Sequence, residues 1–399
     1  MSFDRNRGNL GRGRPFRLIV TGGGTGGHTY PALTAIRTLQ ATLAAGGRAL
    51  EVLWVGTADS LEQRVSAGEG IAFRAVATGK LRRAGHQLKP GSLASLANIR
   101  DMGRVPFGVA QARAIVAEFE PDVVLATGGY VSVPVGLAAK LCHRPLVVHE
   151  QTVRLGLANK ALVRVAARVA VSAESTLALL PESARKTAVV TGNPVRPEVL
   201  TGRADKAVES LALHGFDRRL PTVYVTGGAQ GSQQINYLVR GILPWLLTEA
   251  NVVHQCGPEH LDELRGSAAA LPADLGGRYR LIGYIGSELP DVLALADVVI
   301  SRGGAGTIAE LTALGKAAVL LPLAGSAADE QAHNARRLAE AAAAVVLLGE
   351  VSADDLREAV GPLLADEARR ADLATQARSH GRPDAAERLV EVILAAAGH

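Results

Sequence analysis

Two glycine-rich segments, far apart in the chain, constrain its fold more than any other feature. The first, TGGGTGGH at residues 21–28, follows the apolar run 18–20, and the second, SRGGAGT at residues 301–307, follows the run 296–300. Each pattern predicts a strand that enters a tight turn and then a helix, which directs backbone N–H groups and the positive end of the helix dipole towards one point. Because each segment lies in its own half of the chain, we expect two nucleotide-binding domains that face each other across a cleft.

Short apolar runs alternate along the chain with segments long enough to form a crossover helix. This alternation is typical of parallel, doubly wound sheets, so the predicted fold class is α/β with two Rossmann-like domains. The predicted strands are residues 17–21, 51–56, 122–127, 145–149, 169–172 and 188–191 in the first half, and 222–226, 252–256, 279–284, 297–301, 317–321 and 344–348 in the second.

The predicted domain boundary is the segment GNPVRP at residues 192–197, because its two prolines interrupt regular structure. Residues 17–192 then form the first domain and residues 193–383 the second. Residues 384–399 contain a last helix that we expect to pack back on the first domain. Residues 1–16 are polar, basic and glycine-rich without an apolar signal core, which predicts a disordered leader.

The composition argues against several classes of protein. Cys142 and Cys256 are too few and too far apart for a disulfide framework or a cysteine metal site. No uninterrupted apolar stretch approaches the roughly 18 residues that a membrane span needs. Aromatic residues make up only 4% of the chain and do not interleave with the basic ones, so nucleic-acid binding is not expected. The acidic pair Asp354 and Asp355 falls in a predicted helix rather than at a strand end, and we expect no metal and no cofactor.

The first glycine-rich loop matches the G-x-G-x-x-G pattern of a dinucleotide site, but such a site also needs an acid at the end of the second strand. Here Glu51 lies at the beginning of that strand, which disfavours NAD. The glycines could also serve only close packing of strand and helix. His28 follows the last glycine at the predicted helix start. It is either a general base, a donor to developing negative charge, or a structural side chain.

The second loop opens a helix whose first turn could hold a diphosphate, with Thr307 adding a hydroxyl. Glu310 lies about one turn further, where its carboxylate could accept both hydrogen bonds of a ribose diol. The alternative is an ion pair between Glu310 and Lys316. The segment DEQAHN at residues 329–334 is either an ordinary polar helix start or a set of ligands for sugar hydroxyls.

The order of these motifs resembles that of the MurG family, the GT-B glycosyltransferases of family 28. The resemblance extends from about residue 17 to about residue 397. It implies inverting transfer of N-acetylglucosamine from UDP-GlcNAc to undecaprenyl-diphosphate-muramoyl-pentapeptide (lipid I), in peptidoglycan synthesis. The motifs that carry it are residues 21–31, 127–134, 149–151, 192–196, 227–231, 301–310 and 329–334.

The resemblance also implies roles for individual residues. His28 is the catalytic candidate, Ile285 lies against the uracil through backbone hydrogen bonds, and Glu310 binds the ribose. Arg196 contributes from the boundary between the domains, and the first turn of the helix after the second loop faces the diphosphate. The residues that the resemblance assigns to UDP-GlcNAc are Thr25, Gly26, Gly27, Thr152, Arg196, Ala229, Ile285, Ala305, Gly306, Thr307, Glu310, Gln331 and Asn334.

Two of these positions depart from the family pattern. Thr152 stands where the family commonly has asparagine, and Ala229 stands where it commonly has serine. Thr152 can donate one hydrogen bond but not the paired hydrogen bonds of an amide. Ala229 can contribute only backbone groups, so the contacts to sugar and phosphate are expected to differ in detail.

A lipid-linked acceptor implies a peripheral position on the cytoplasmic face of the bacterial membrane. Residues 78–107 mix basic residues with leucines, which suits docking on an anionic leaflet, although a solvated loop and helix would read the same way. Three rival functions remain open: another GT-B transferase with a different acceptor, a UDP-sugar 2-epimerase, and a non-enzymatic nucleotide-sugar-binding scaffold.

Overall fold

The computed structural model describes residues 14–78, 96–326 and 329–398, and for residues 96–105 and 273–274 it describes the backbone alone. The strands of this described part are β1 Phe16–Thr21, β2 Leu50–Gly56, β3 Ala72–Ala75, β4 Val123–Ala126, β5 Leu146–Glu150, β6 Arg168–Val171, β7 Ala188–Val190, β8 Thr222–Thr226, β9 Asn251–Gln255, β10 Tyr279–Ile282, β11 Val298–Ser301, β12 Ala317–Leu320 and β13 Val345–Val346. The α-helices are α1 Gly26–Ala45, α2 Leu61–Gly68, α3 Leu96–Phe119, α4 Ser132–Leu141, α5 Leu157–Leu162, α6 Glu174–Leu177, α7 Glu182–Arg185, α8 Ala204–Ser210, α9 Gln233–Glu249, α10 Leu261–Ala269, α11 Ala273–Gly276, α12 Leu289–Leu295, α13 Ala305–Leu314, α14 Glu330–Glu340, α15 Ala353–Ala365, α16 Glu367–Ser379 and α17 Ala385–Ala396.

The chain divides into two compact units: unit 1 comprises residues 1–193 and 385–399, and unit 2 comprises residues 194–384. Unit 1 contains a seven-stranded sheet in the order β3-β2-β1-β4-β5-β6-β7, and unit 2 a six-stranded sheet in the order β10-β9-β8-β11-β12-β13. All pairings in both sheets are parallel. Both orders are those of a doubly wound Rossmann fold. The predicted class of two Rossmann-like parallel-sheet domains is therefore confirmed.

The core of unit 1 covers both faces of its sheet. Strands β4 and β5 are buried along their whole length, as a parallel sheet between helical layers requires. On one face, Leu39 of α1 and Ile393 of α17 share a core cluster with Leu18 and Trp54. On the other face, Val116 of α3 belongs to a second cluster with residues of β4 and β5. The last helix of the chain is thus part of the core of unit 1.

Unit 2 is built in the same way. Helix α9 buries Ile235, Leu238, Ile242 and Leu246, and their three- and four-residue spacing places them on one helical face. The helix begins at its N-cap Ser232, whose hydroxyl accepts a hydrogen bond from the backbone N–H of Ile235 at 3.2 Å. That apolar face packs with residues of α15 against one side of the sheet. A second cluster covers the other side.

Every predicted strand is present, with ends that differ by two residues or fewer, but the sequence did not predict β3. In the N-terminal region, residues 1–13 lie outside the described residues, so the predicted leader is described only from residue 14. Its predicted end at residue 16 is wrong, because Phe16 is fully buried and begins β1. Arg14 is also placed by a hydrogen bond from its guanidinium to the Glu120 carbonyl at 3.2 Å.

The two sheets bring the glycine-rich loops to the edge where ligands bind in this fold. In unit 1, β1 and β4 are neighbours with Thr21 opposite Ala126, so the loops that follow both strands leave from the same edge. In unit 2, β8 and β11 are neighbours in the same relation. Each pair marks the switch point of its sheet, where doubly wound folds hold their ligands. None of the helices in the described residues is long and apolar enough to span a membrane.

Candidate active site

In unit 1, the loop after β1 places His28 in the first turn of α1. The helix begins at Gly26, and its N-cap Thr25 accepts hydrogen bonds from the backbone N–H of His28 at 3.2 Å and from the Oγ1–H of Thr29 at 3.0 Å. The hydroxyl of Thr127, at the end of β4, donates to the carbonyl of His28 at 3.0 Å. Residues that follow β1 and β4 therefore fix the backbone that carries the His28 side chain.

Some N–H groups of this glycine-rich loop already donate hydrogen bonds to other groups of the protein. Glu62 of α2 is fully buried, and its carboxylate accepts hydrogen bonds from the backbone N–H of Gly24 at 3.1 Å and of Thr57 at 3.2 Å. The N–H of Gly23 donates to the carbonyl of Gly128 at 3.3 Å. A Cβ on Gly23 would overlap the Glu62 carboxylate. The acid that belongs to this loop therefore binds the loop backbone, unlike the ribose-binding acid of a dinucleotide site.

A chain of hydrogen bonds joins His28 to the end of β5. The Nδ1 atom of His28 lies 3.2 Å from Oε1 of Gln151. The Nε2 atom of Gln151 lies 3.0 Å from Nδ1 of His149 and 3.1 Å from the His149 carbonyl oxygen. The Nε2 atom of His149 lies 3.0 Å from the carbonyl oxygen of Gly192. His149 is fully buried, and this burial lowers its pKa from 6.5 to about 4.

Glu150 and Thr152 turn inward and stabilise the loop after β5. The carboxylate of Glu150 accepts hydrogen bonds from the N–H of Gly156 at 2.9 Å, from the Asn159 amide at 3.0 Å and from the N–H of Thr152 at 3.1 Å. The Thr152 hydroxyl lies 2.9 Å from Glu150 Oε1 and 2.5 Å from the Arg154 carbonyl. Its single hydrogen is therefore donated within unit 1, and the hydrogen bond predicted from Thr152 to the donor is not available in this arrangement.

In unit 2, the predicted ribose residue Glu310 lies on α13 and pairs with Arg196. Both Nη2 and Nε of Arg196 donate to the same carboxylate oxygen, Oε1, at 2.8 and 3.0 Å. The second oxygen, Oε2, takes no part in this pair. Burial raises the pKa of Glu310, and Arg196 opposes that rise. The alternative pairing with Lys316 is wrong, because that ammonium donates to the carbonyls of Ala294 and Ala296.

The first turn of α13 presents backbone donors beside this pair. The helix begins at Ala305, and within the described part of unit 2 the N–H groups of Ala305, Gly306 and Thr307 have no protein acceptor. The first turn of any helix leaves such groups unpaired, and they attract anions. Asn334 of α14 reaches the same loop, since its amide lies 3.5 Å from the Gly303 carbonyl. The structure thus brings the predicted diphosphate residues and Asn334 together.

The remaining predicted donor residues lie near these loops. The backbone N–H of Ile285 donates to Oε1 of the Gln255 side chain at 3.1 Å. Nε2 of the same Gln255 side chain donates to the Gly228 carbonyl at 2.8 Å. The backbone contact predicted between Ile285 and uracil would therefore replace or share this hydrogen bond. Gln331 accepts a hydrogen bond from the N–H of Leu323 at 2.9 Å. Ala229 is exposed in the loop after β8.

Two family models match the chain: "Glycosyltransferase family 28 N-terminal domain" over residues 18–171 and "Glycosyltransferase family 28 C-terminal domain" over residues 222–389. A protein of Listeria monocytogenes serovar 1/2a, named UDP-N-acetylglucosamine–N-acetylmuramyl-(pentapeptide) pyrophosphoryl-undecaprenol N-acetylglucosamine transferase, is 36% identical over 95% of this chain and 99% of its own. The chain belongs to glycosyltransferase family 28. The predicted family and the predicted enzyme class, a glycosyltransferase, are confirmed.

Other relatives of this family 28 glycosyltransferase support the same family assignment. A Pediococcus pentosaceus protein with the same name is 33% identical over 94% of this chain and 98% of its own. The crystal structure of Acinetobacter baumannii MurG superposes with a TM-score of 0.73 at 25% identity, covering 96% of this chain and all of that one. A UDP-GlcNAc 2-epimerase from Neisseria meningitidis bound to UDP-GlcNAc has a TM-score of 0.63 at 16% identity, over 95% and 99% of the two chains. The last likeness shows the shared fold alone.

Three side chains near the loops of this family 28 glycosyltransferase were missed as site residues. Gln151 and Glu62 bind the first loop, as described above. Arg302 of the second loop donates to Ser232 Oγ at 2.6 Å and to Gln234 Oε1 at 2.8 Å, which ties the loop after β11 to the start of α9. The sequence held a signal for Gln151 alone: residues 149 and 151 alternate with residue 150 at a strand end, so their side chains share one face.

Most of the predicted membrane-docking segment, residues 78–107, lies outside the residues whose side chains the structure describes. Residues 79–95 lie outside the described residues, and residues 96–105 are described by their backbone only. Next to them, Phe107 is 60% exposed, and on the neighbouring helix Leu141 is 55% exposed. Among residues 14–78, 96–326 and 329–398, no group of three or more His, Cys, Asp or Glu side chains is placed to hold a metal ion.

Proposed function

We propose that this glycosyltransferase transfers N-acetylglucosamine from UDP-GlcNAc to the 4-hydroxyl of the muramoyl sugar of lipid I, and so forms lipid II. The observation that carries the proposal is the whole-length likeness to transferases whose names state this donor and acceptor, over 95% of this chain. The arrangement at α13, with unpaired N–H groups and an acid one turn further, suits the diphosphate and ribose of such a donor.

In this proposal, unit 2 binds the donor. The N–H groups of Ala305, Gly306 and Thr307 stabilise the negative charge that grows on the diphosphate as it leaves. Oε2 of Glu310 accepts from the ribose hydroxyls, while the guanidinium of Arg196 opposes the rise in the pKa of this carboxyl that burial causes. Ile285, Ala229, Gln331 and Asn334 complete the predicted contacts to uracil, phosphate and sugar.

His28 of unit 1 is the proposed general base, with Thr25, Gly26 and Gly27 beside it as donor contacts. The ring accepts the proton of the acceptor hydroxyl, whose oxygen forms a new bond to the anomeric carbon. The bond from that carbon to the diphosphate oxygen breaks on the opposite side, and its electron pair leaves with UDP. The product therefore has inverted configuration, and histidine suits the task because its ordinary pKa lies near neutral pH.

The acceptor is anchored in a membrane, so we propose that unit 1 binds peripherally to the anionic cytoplasmic leaflet. The exposed Phe107 and the basic residues of the segment 78–107 support this position. Co-sedimentation with vesicles should increase with the fraction of anionic lipid and decrease with salt. Binding that ignores both variables would contradict the membrane assignment.

The decisive experiment measures UDP release from UDP-GlcNAc with and without lipid I. We expect release only with lipid I. UDP-GlcNAc epimerisation without an acceptor would indicate the epimerase, and donor binding without turnover would indicate a scaffold.

His28→Ala should lower turnover by ~10²–10⁴-fold, the usual contribution of a general base, with UDP affinity retained. Glu310→Ala should weaken UDP binding about tenfold to a hundredfold, the value of hydrogen bonds to a charged group. Near-normal turnover of His28→Ala would remove His28 from this role.

A further inference from the structure

Gln151 bonds to two histidines at once, and its position suggests a role in catalysis. We propose that Gln151 is a positioning residue that fixes the tautomer of His28, so that Nδ1 carries the hydrogen and Nε2 presents the lone pair to the acceptor. This inference rests on the proposed role of His28 as the general base. It adds a residue to that site and states which ring nitrogen accepts the proton.

The orientation of the Gln151 amide follows from its neighbours. One end of this amide lies 3.1 Å from the backbone carbonyl oxygen of His149. A carbonyl oxygen can only accept a hydrogen bond, so the amide end that faces it must be the NH2 group. The other end, which lies 3.2 Å from Nδ1 of His28, is therefore the amide oxygen. A flipped amide would place two acceptors against each other at the His149 carbonyl.

The orientation of this amide determines which nitrogen is protonated in each of the two histidine rings. An amide oxygen only accepts, so Nδ1 of His28 must be the donor, and in the neutral ring Nε2 then holds the lone pair. His149 has the opposite tautomer. Its Nδ1 accepts from the Gln151 NH2 group, and its Nε2–H donates to the carbonyl of Gly192. Burial keeps His149 neutral at ordinary pH, because it lowers its pKa to about 4. A neutral His149 thus helps to hold the amide in the required orientation.

The backbone of a neighbouring loop also restricts the position of the His28 ring. The backbone of Gly128 lies against His28, because a Cβ built on Gly128 would lie 2.8 Å from Cε1 and 2.9 Å from Nδ1 of the imidazole. Gly128 has a φ of +107°, a conformation that glycine adopts without strain. The ring is therefore held by a close backbone contact and by the hydrogen bond to Gln151. Both restrict rotation and leave Nε2 as the reactive nitrogen.

The tautomer can be tested on the unmodified protein. We would label the ten histidines with 15N and record imidazole nitrogen spectra at about pH 8.5, well above the ordinary histidine pKa of ~6.5. The signals of His28 are those lost in His28→Asn. We expect a protonated Nδ1 and an unprotonated Nε2. A His28 ring protonated at Nε2 would overturn the proposal whatever the activity of the protein.

The positioning role is tested with Gln151→Met, which keeps an unbranched side chain of similar length and removes both hydrogen-bonding ends. We expect the His28 tautomers to become mixed and turnover to fall by at least about tenfold, towards the ~10²–10⁴-fold contribution of a base, because a wrong tautomer abolishes base catalysis. UDP affinity should stay unchanged, since the Gln151 side chain contacts His28 and His149 and none of the residues proposed to bind UDP. Gln40→Met, at an exposed position on α1, is the matched control and should match the wild type in every readout.

The outcomes separate this inference from the proposed function. If the wild type transfers the sugar and Gln151→Met keeps turnover within about twofold, Gln151 does not position the base, while the function stands. If the wild type shows no transfer to lipid I, the proposed function fails. The nitrogen spectra then still decide whether Gln151 fixes the tautomer of His28.

Discussion

Acid should destabilise unit 2 through His254, a buried histidine of β9 that lies outside the candidate active site. Its side chain is 1% exposed, with Nδ1 2.9 Å from the Tyr279 hydroxyl and Nε2 3.0 Å from Oδ1 of Asn236. The Asn236 NH2 group donates to the carbonyl of Cys256 at 2.9 Å, so Oδ1 must accept from His254. Burial lowers the pKa of His254 from 6.5 to about 3, so the ring is neutral near pH 7.

The sign and size of the effect follow from proton linkage. Between pH 6.5 and about 3 the unfolded state binds a proton at His254 and the folded state does not, so stability falls as the pH falls through this window. Above pH 6.5 His254 is mostly neutral in both the folded and the unfolded state, so it no longer makes the stability depend on pH. At about pH 5 the difference is ~1.5 pH units at 1.36 kcal/mol each, or about 2 kcal/mol.

The assay is urea unfolding at pH 7 and pH 5, followed by the fluorescence of Trp245, which reports on unit 2 because it lies on α9 beneath the guanidinium of Arg357. The measurements use a Trp54→Phe background, since the chain has two tryptophans. We expect the free energy of unfolding to fall by about 2 kcal/mol more in the wild type than in His254→Gln. Other titrating groups are present in both proteins, so they cancel in this difference. The control His214→Gln, at an exposed position, should keep the wild-type slope. Equal slopes for wild type and His254→Gln would refute the reasoning.

Two further predictions concern the backbone and the last helix. Gly231→Ala should destabilise unit 2 by at least about 1 kcal/mol more than Gly228→Ala, because both glycines have positive φ but only at position 231 would a Cβ overlap a backbone carbonyl; equal urea midpoints would contradict this. Leu389→Ala should cost ~2–5 kcal/mol in the unfolding that Trp54 reports and leave the Trp245 transition unchanged, because Leu389 is buried in the core of unit 1. The reverse pattern would contradict the assignment of residues 384–399 to the first domain.

The sequence predicts the strands well where burial leaves a continuous apolar run. Strand β4, with the sequence VVLA, is buried along its whole length, and its pattern is unambiguous. Strand β3, Ala72–Ala75, has no such run, because it lies at the sheet edge with mostly exposed side chains. Its pairing with β2 defines it, and backbone pairing between distant segments leaves little trace in a short sequence window.

The site was predictable where a motif places its own residues, and less so where its partners come from elsewhere in the chain. His28 and Glu310 follow glycine loops, and their positions are set by local geometry. The partner of His28 is 123 residues away at Gln151, and that of Glu310 is 114 residues away at Arg196. The nearby cation Lys316 was a reasonable alternative for Glu310, but the tertiary fold directs its ammonium to helix carbonyls instead.

The two glycine-rich loops differ in the charged side chains that lie near them. In unit 1, the Glu62 carboxylate accepts hydrogen bonds from the N–H of Gly24 in the glycine-rich loop and from the N–H of Thr57 in the loop after β2. A carboxylate at this position weakens the attraction of the loop for a second anion. In the described part of unit 2, the first-turn N–H groups of α13 have no protein acceptor, and Arg196 adds positive charge nearby. The two sheets share their strand order, but the neighbours of their glycine-rich loops differ: an acid contacts the loop in unit 1, and an arginine lies near the helix start in unit 2. This difference supports our proposal that the second loop, rather than the first, binds the diphosphate.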